Sequence, residues 1–362
     1  MINLKILSIY LLRLYCGCFI NISLIVTGIL ILSNIFDLLQ QFKSLYIPTH
    51  YFWKLVLYKI PYFLNEISGL ISFSAMLFLL KKLTKYNELL LMLCNGIHIW
   101  KIILIPAIAA IIFGILITTI CNPIGTIGLQ KYEQLKAKLT NKTSANFRIS
   151  QSGILFLEQN NITKQIVQTK VIDIANNKLK GFTLLMLDQN NNFLKRIDAP
   201  YAILTDNNLD ITAAKMYDGQ SVQSYSQLNI PTTLSVNKLL DNFINPEMIS
   251  IWDLPLTIKQ LVEAGLPTLN YKIYYYKQLF KPIIMGIMVI LASCFFNLKQ
   301  QNNIQGKVLI LGLFIGFITY FALEIAVKML SYNTITPALA VLLPNICILL
   351  ISNLFITPAR HA

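Results

Sequence analysis

The sequence predicts a polytopic α-helical membrane protein with six transmembrane helices, three before and three after an inserted all-β domain. Three observations predict it. The 362 residues are 55% hydrophobic and 13% charged, about half the ~25% charge of a soluble domain, and the mean hydropathy is +0.60. Six apolar stretches each approach the ~20 residues that cross ~30 Å of hydrocarbon. Between the third and the fourth, the hydrophobic period changes from helical to alternating.

The first half carries "LYCGCFINISLIVTGILILSNIF" (14–36), "IPYFLNEISGLISFSAMLFLL" (60–80) and "IILIPAIAAIIFGILITTIC" (102–121). The first of these is too long for a signal peptide and lacks a small-residue cleavage site, so it reads as an uncleaved span. The second half carries a span over about 276–297, then "VLILGLFIGFITYFALEIAV" (308–327) and "PALAVLLPNICILLISNLFI" (337–356). Glycines and prolines inside the spans, such as Pro106, Gly114, Gly316 and Pro344, suit close packing and kinks in a membrane bundle.

Short alternating runs punctuated by "SG", "NN", "QNNN" and "TDNN" clusters fill roughly 145–245. They read as many short strands in an all-β sandwich or roll. Strict alternation would turn Ile154, Phe156, Leu185, Leu187 and Ile203 inward. A polar helix over 128–139 leads in, and a helical segment over 248–280, with tyrosines at 271 and 274–276 resembling an interfacial belt, returns to the membrane. The expected division is therefore 1–122, 123–247 and 248–362.

The net charge of +14 does not point to nucleic acid. Residues 123–280 hold 16 basic and 12 acidic residues, and the remainder holds 14 basic and only 4 acidic. The surplus thus flanks the apolar segments, where lysines anchor helix ends at anionic headgroups. All six cysteines lie in or beside those segments, so no disulfide framework is implied. Cys16 and Cys18 face apart on a helix and suit packing better than metal binding. The three histidines sit at span ends, and there is no H-E-x-x-H, G-x-S-x-G or phosphate-binding glycine loop. An enzyme, a metal site and a cofactor are not expected. An ion-coupled transporter is the rival class. It would rely on Glu66 and Glu324 inside the spans, although Lys328 lies four residues beyond Glu324 and suits a local ion pair.

The connection "KKLTKYNELLLMLCNGIHIW" (81–100) is too polar to span and too apolar for a plain loop. Lys81, Lys82, Lys85 and Lys101 against Glu88 favour the cytoplasm by the positive-inside rule, which puts the β domain on the opposite side. Lys82, Lys85 and Glu88 recur at helical spacing among leucines, giving an amphipathic helix over 83–96. Gly96 stands where a helix C′ glycine is favoured.

Beyond these patterns, the chain resembles the lipopolysaccharide export permeases of the LptF/LptG (YjgP/YjgQ) family over nearly its whole length. The resemblance rests on "YNELLLMLCNGI" (86–97), similar to the family's coupling helix, and on "NFLKRIDAPYAIL" (192–204), similar to its A-x-x-A strand pair. "GFITYFALE" (316–324) and "TPALAVLLPNICILLISNLF" (336–355) resemble its last two spans. The start "IYLLRLYCGCFI" and the "SIWDLP" segment lean towards the LptG branch over the LptF branch. The resemblance implies a jelly-roll form for the β domain, in the periplasm, and a location in the bacterial inner membrane. It implies a permease subunit that takes lipopolysaccharide from the outer leaflet and passes it through that domain. The implied partners are an LptB-like cytoplasmic ATPase dimer, a second, LptF-like permease and an LptC-like bitopic protein. Glu88, with Lys85, Leu89 and Met92, would couple to the ATPase. Lys43, Lys131, Lys136, Phe156 and Leu187 would contact lipid. The chain departs from the family pattern in "DLLQQFKS" (37–44), where glutamines replace the usual lysines, and after the third span, where lysines replace an arginine pair.

Overall fold

The computed structural model describes residues 4–43, 48–139, 146–150, 153–159, 163–173, 176–188, 193–205, 208–218, 221–232, 245–295, 302–332 and 335–356. The chain forms two compact units, Met1–Leu135 with Lys272–Ala362, and Lys136–Tyr271.

The first unit is helical. Helix α1 (Leu4–Gln41) and α2 (Thr49–Lys85) are followed by the short α3 (Glu88–Cys94). Next come α4 (Ile99–Leu116), a π-helical turn over Ile117–Cys121 and α5 (Asn122–Leu139), which run on as one 41-residue rod. The third span therefore has no break at 122, and the polar lead-in is its continuation. After the sheet unit come α7 (Leu269–Ser293), α8 (Asn302–Tyr332) and α9 (Pro337–Ile356). Among the described residues six helices are long and apolar enough to cross a membrane. The connection at 298–301 and the tail "TPARHA" lie outside the described residues.

Glycine sets the closest approaches. A methyl group at Gly128 would collide with the Tyr58 carbonyl oxygen, and one at Gly125 would lie 3.0 Å from the Tyr62 backbone, so α5 rides directly on the α2 backbone. Gly114 meets Pro282 of α7 in the same way. Between helices in lipid, such small-residue contact supplies the dispersion energy that water exclusion supplies elsewhere. Helix α1 is tied to α2 by Asn34, whose Nδ2 donates to the Val56 carbonyl at 3.1 Å.

Among the described residues the second unit holds eight antiparallel strands: β1 (Asn146–Ser150), β2 (Gly153–Gln159), β3 (Thr163–Thr169), β4 (Val171–Asp173), β5 (Lys178–Asp188), β6 (Phe193–Thr205), β7 (Asn208–Tyr217) and β8 (Val222–Pro231). The order is β1-β2-β3-β5-β6-β7-β8, with β4 also pairing β5. The roll is thus a meander in which β1 and β8 end the strand path. One rung of its buried face runs Phe156, Val167, Leu184, Ile197 across four strands. The amphipathic α6 (Leu254–Glu263) belongs to this unit and not to the membrane return. Its end is pinned where the Ile172 N–H donates to the Ala264 carbonyl at 2.9 Å.

Strict alternation fails along one line. Gly181 (φ 64°) and Ala213 (φ 54°) take left-handed backbone, and the registers of β5–β6, β6–β7 and β7–β8 skip residues there and beside Pro200. The register holds across these gaps, Lys180 facing Tyr201 and Phe182 facing Ala199 on either side of Gly181, so neighbouring strands change side-chain parity together along a crease; the register shift in β5–β6 lies instead between Met186 and Leu187. Leu179 and Phe182 are consequently both buried, as are Ala199 and Ala202, and Ile211 and Ala214. This corrects three expectations: Leu185, Leu187 and Ile203 lie on the opposite face, whereas Ile154 and Phe156 are buried as alternation predicted.

Gly128→Ala is expected to lower the melting temperature of the detergent-purified protein by several degrees, in line with ~1–3 kcal/mol of overpacking. Gly17→Ala, where a methyl group meets nothing within 4 Å, should leave it unchanged or raise it. Equal melting of the two variants would remove the close α2–α5 contact from the account.

Candidate functional site

The hairpin between α2 and α4 is built by two left-handed residues. Asn87 (φ 55°) ends α2 and starts α3, and Gly96 (φ 77°) ends α3. At Gly96 the Ile97 N–H donates to the Met92 carbonyl at 3.1 Å and the Gly96 N–H to Leu93 at 2.9 Å. This is the two-bond Schellman closure, with Met92 and Ile97 as its apolar contact. The helix expected over 83–96 is therefore split: Leu83 and Lys85 belong to the last turn of α2, and only 88–94 forms the short helix.

The faces of that helix also differ from the expected assignment. Leu89 and Met92 are buried in the helical core with Leu7, Leu11, Leu83 and Ile97, so they hold the hairpin to the bundle. Tyr86, Leu90 and Leu91 are the exposed apolar side chains, each more than half exposed. Lys85 is exposed, with its Nζ 5.7 Å from the Tyr86 ring centre. Glu88 is half-buried, and its Oε2 accepts a 2.7 Å hydrogen bond from the Tyr10 hydroxyl of α1.

The lysines expected to meet lipid are dispersed. Lys43 is exposed in the turn after α1, Lys131 is exposed on α5, and Lys136 is half-buried on α5. Phe156 lies on the buried face of the sheet and Leu187 on the other. Lys59 of α2 stands 4.9 Å from the Phe63 ring centre and 5.3 Å from that of Tyr132, a cation–π arrangement.

The helical unit instead concentrates charge on α2, α7 and α8. Lys277 Nζ lies 2.8 Å from Glu66 Oε2 and 3.0 Å from Glu324 Oε1. Lys281 is 3.7 Å from Glu66 and donates to the Asn65 carbonyl at 2.9 Å and the Asn65 Oδ1 at 3.0 Å. Gln278 donates to Glu66 at 3.1 Å and accepts from Asn65 at 3.3 Å. The Tyr320 hydroxyl donates to the Glu66 carbonyl at 2.6 Å. Two cations balance two carboxylates, the arrangement hydrocarbon requires. Glu324 thus pairs across helices with Lys277, and not with Lys328 as its spacing suggested. A small cavity opens beside the cluster, lined by Glu66, Ser68, Lys277, Tyr320, Glu324 and Asn345 among others.

Lys277 and Lys281 escaped the sequence reading although both lie inside the span read over about 276–297, because only Glu66 and Glu324, with Lys328, were weighed as charges within the spans. The usable signal was charge balance. Two carboxylates inside spans demand two cations, and lysines at i and i+4 just before Pro282 present both on one helix face.

Glu66→Leu removes the carboxylate that both lysines share and is expected to destabilise the helical unit by roughly 3–5 kcal/mol, the cost of stranding a buried charge. Glu66→Gln, which retains hydrogen-bonding atoms, should cost clearly less. Thermal melts and yields in detergent compare them. Melts of both variants that match the parent would show that the network contributes little.

The whole arrangement corresponds to one known family. The model of the lipopolysaccharide export system permease LptF/LptG family matches residues 9–357. The lipopolysaccharide export system permease protein LptG of Haemophilus influenzae is 23% identical over 310 residues, which are 81% of this chain and 83% of that protein. LptG of Escherichia coli K12 is 25% identical over 143 residues, 40% of this chain and 39% of that protein. With the family pattern spanning six apolar helices and the antiparallel sheet between their halves, this chain belongs to the LptF/LptG family of lipopolysaccharide export permeases.

Proposed function

We propose that this chain is an LptG-type subunit of an inner-membrane lipopolysaccharide exporter, driven by a separate ATPase that docks on the α2–α3 hairpin in the cytoplasm. The observation that carries the docking site is the division of the hairpin into a buried face, Leu89 and Met92, and an exposed apolar edge, Tyr86, Leu90 and Leu91. An exposed leucine pair on a helix anchored by its opposite face suits insertion into a groove of another protein. Glu88, fixed by Tyr10 beside that edge, offers a carboxylate for a charge-assisted bond to an ATPase arginine. In this reading Lys85 supplies positive charge at the rim, and Leu89 and Met92 act through packing.

The remainder of the mechanism follows from topology. With the lysine-rich hairpin inside, the sheet unit lies in the periplasm, and lipid taken from the outer leaflet moves towards it. A second, LptF-like permease would enclose the lipid path, and little of α1, α8 and α9 is buried within this chain, which leaves their apolar sides for a partner and for lipid. An LptC-like protein would receive the lipid from the sheet. The buried face of the sheet, lined by Phe156, Val167, Leu184 and Ile197, is the surface suited to acyl chains.

Two experiments test this. Leu91→Asp and Glu88→Lys should reduce co-purification of the ATPase by about tenfold or more, the loss of one hot-spot contact, while the permease is still made. Leu89→Asp should instead lower the yield of folded permease. ATPase binding that survives both exposed-edge variants would remove the docking site. A photo-crosslinker at Phe156 should capture lipid during transport and one at Leu187 should not. The reverse pattern would overturn the choice of face.

A further inference from the structure

Helix α8 meets α2 and its neighbours along one strip that repeats every fourth residue. Gly312 lies beside Leu77 and Phe295, and Gly316 under the Phe73 ring, where a methyl group would collide. Tyr320 lies against Gly69 and donates to Glu66, and Glu324 reaches Lys277 at 3.0 Å. The strip changes character along its length. Its first half is dry glycine–aromatic contact. Its second half is one hydrogen bond and one ion pair beside the cavity. Packing there is not saturated, because Asn345 of α9 lines the cavity at 3% exposure and its Oδ1 has no hydrogen-bond partner.

An ion pair inside a membrane separates only if neither charge is stranded. Lys277 meets that condition, since losing Glu324 leaves it with Glu66 at 2.8 Å. Glu66 meets it too, with Lys281 at 3.7 Å and Gln278 at 3.1 Å. Glu324 alone would lose its partner. One turn further along α8 stands Lys328, exposed and in no ion pair among the described residues. Positions i and i+4 bring two such side chains together on a helix.

We propose that Lys328 is a positioning residue for transport: Glu324 exchanges Lys277 for Lys328 when the C-terminal half of α8 leaves α7, so the clasp opens without an unpaired carboxylate. The exchange rests on the export reading above for its driving force, the ATPase. The dry Gly312–Gly316 contact stays closed and acts as the fulcrum. In the opened arrangement every carboxylate keeps a cation, Glu66 holding both Lys277 and Lys281 with one positive charge in excess beside the cavity and Glu324 holding Lys328, and two such packings are what a two-state element requires.

The test uses the complex purified with its ATPase, all native cysteines replaced, and Leu323→Cys as a reporter. Leu323 lines the cavity at 8% exposure. ATP should raise its labelling by a water-soluble thiol reagent about fivefold or more, a shift of a mostly closed population. Lys328→Gln should hold labelling at the resting rate, and Lys328→Arg should restore the rise. Glu324→Gln should raise the resting rate without nucleotide. An equal ATP-driven rise with Lys328→Gln, no rise in the parent, or an unchanged resting rate with Glu324→Gln would each overturn the clasp. Failure of the export reading shows separately, as absence of ATPase co-purification or of lipid-stimulated hydrolysis in the parent. The nucleotide-free Glu324→Gln arm still decides the clasp in that case. Detergent melts matching the parent exclude misfolding as the cause.

Discussion

Lys277 is shared between Glu66 of α2 and Glu324 of α8, and the arrangement of the helical unit depends on that sharing. A lone ammonium or carboxylate in hydrocarbon costs several kcal/mol even after relaxation. Once Glu66 is placed in the middle of α2, α7 must therefore present a cation to it. The fit is satisfied twice, by Lys277 and Lys281 one turn apart, and the remaining polar valences are closed by Asn65, Gln278 and Tyr320. The hydrophobic effect does not distinguish one apolar helix face from another in lipid. A paired charge does, because in this register of the three helices neither Glu66 nor Glu324 is left without a cation.

Shape completes what charge begins. Where α8 passes α2 the contacts are glycine against an aromatic ring, and where α5 passes α2 they are glycine against backbone. These contacts set interhelical distance, whereas the ion pairs set register. The sheet unit uses neither device. Its strands crease together at the left-handed Gly181 and Ala213 and beside Pro200, and the alanines at 199, 202 and 214 on its buried face leave room where the creased strands crowd.

Composition and periodicity made the six spans and the sheet between them legible, because each signal accumulates over many residues. The Gly96 helix end was legible for a local reason: a Schellman closure needs positive φ, which glycine adopts without strain. Parity in the strands was legible only up to the crease. Phe156 precedes the crease and was placed correctly, while Leu185, Leu187 and Ile203 follow one and were inverted. The faces of α3 were not legible for a related reason, since the left-handed Asn87 interrupts the helix and Leu89 and Met92 are buried after it while Leu90 and Leu91 are exposed. Glu324 shows the limit of local spacing. Lys328 at i+4 was the visible partner, and the actual one lies 47 residues earlier in sequence on another helix.

One element joins the hairpin to the charge cluster. Helix α2 ends under α3, where Leu83 shares a core with Leu89 and Met92, and it carries Glu66 and Gly69 against Lys277 and Tyr320. The segment from Glu66 to Lys85 has no proline, and the only proline of α2, Pro61, lies on the far side of Glu66 from the hairpin. That segment is about 29 Å of uninterrupted helix at 1.5 Å per residue, long enough to cross most of the bilayer core. A displacement of α3 therefore reaches the cluster through a single covalent rod. The cluster at its far end is where the clasp proposed above would open, since Lys277 links Glu66 of this rod to Glu324 of α8.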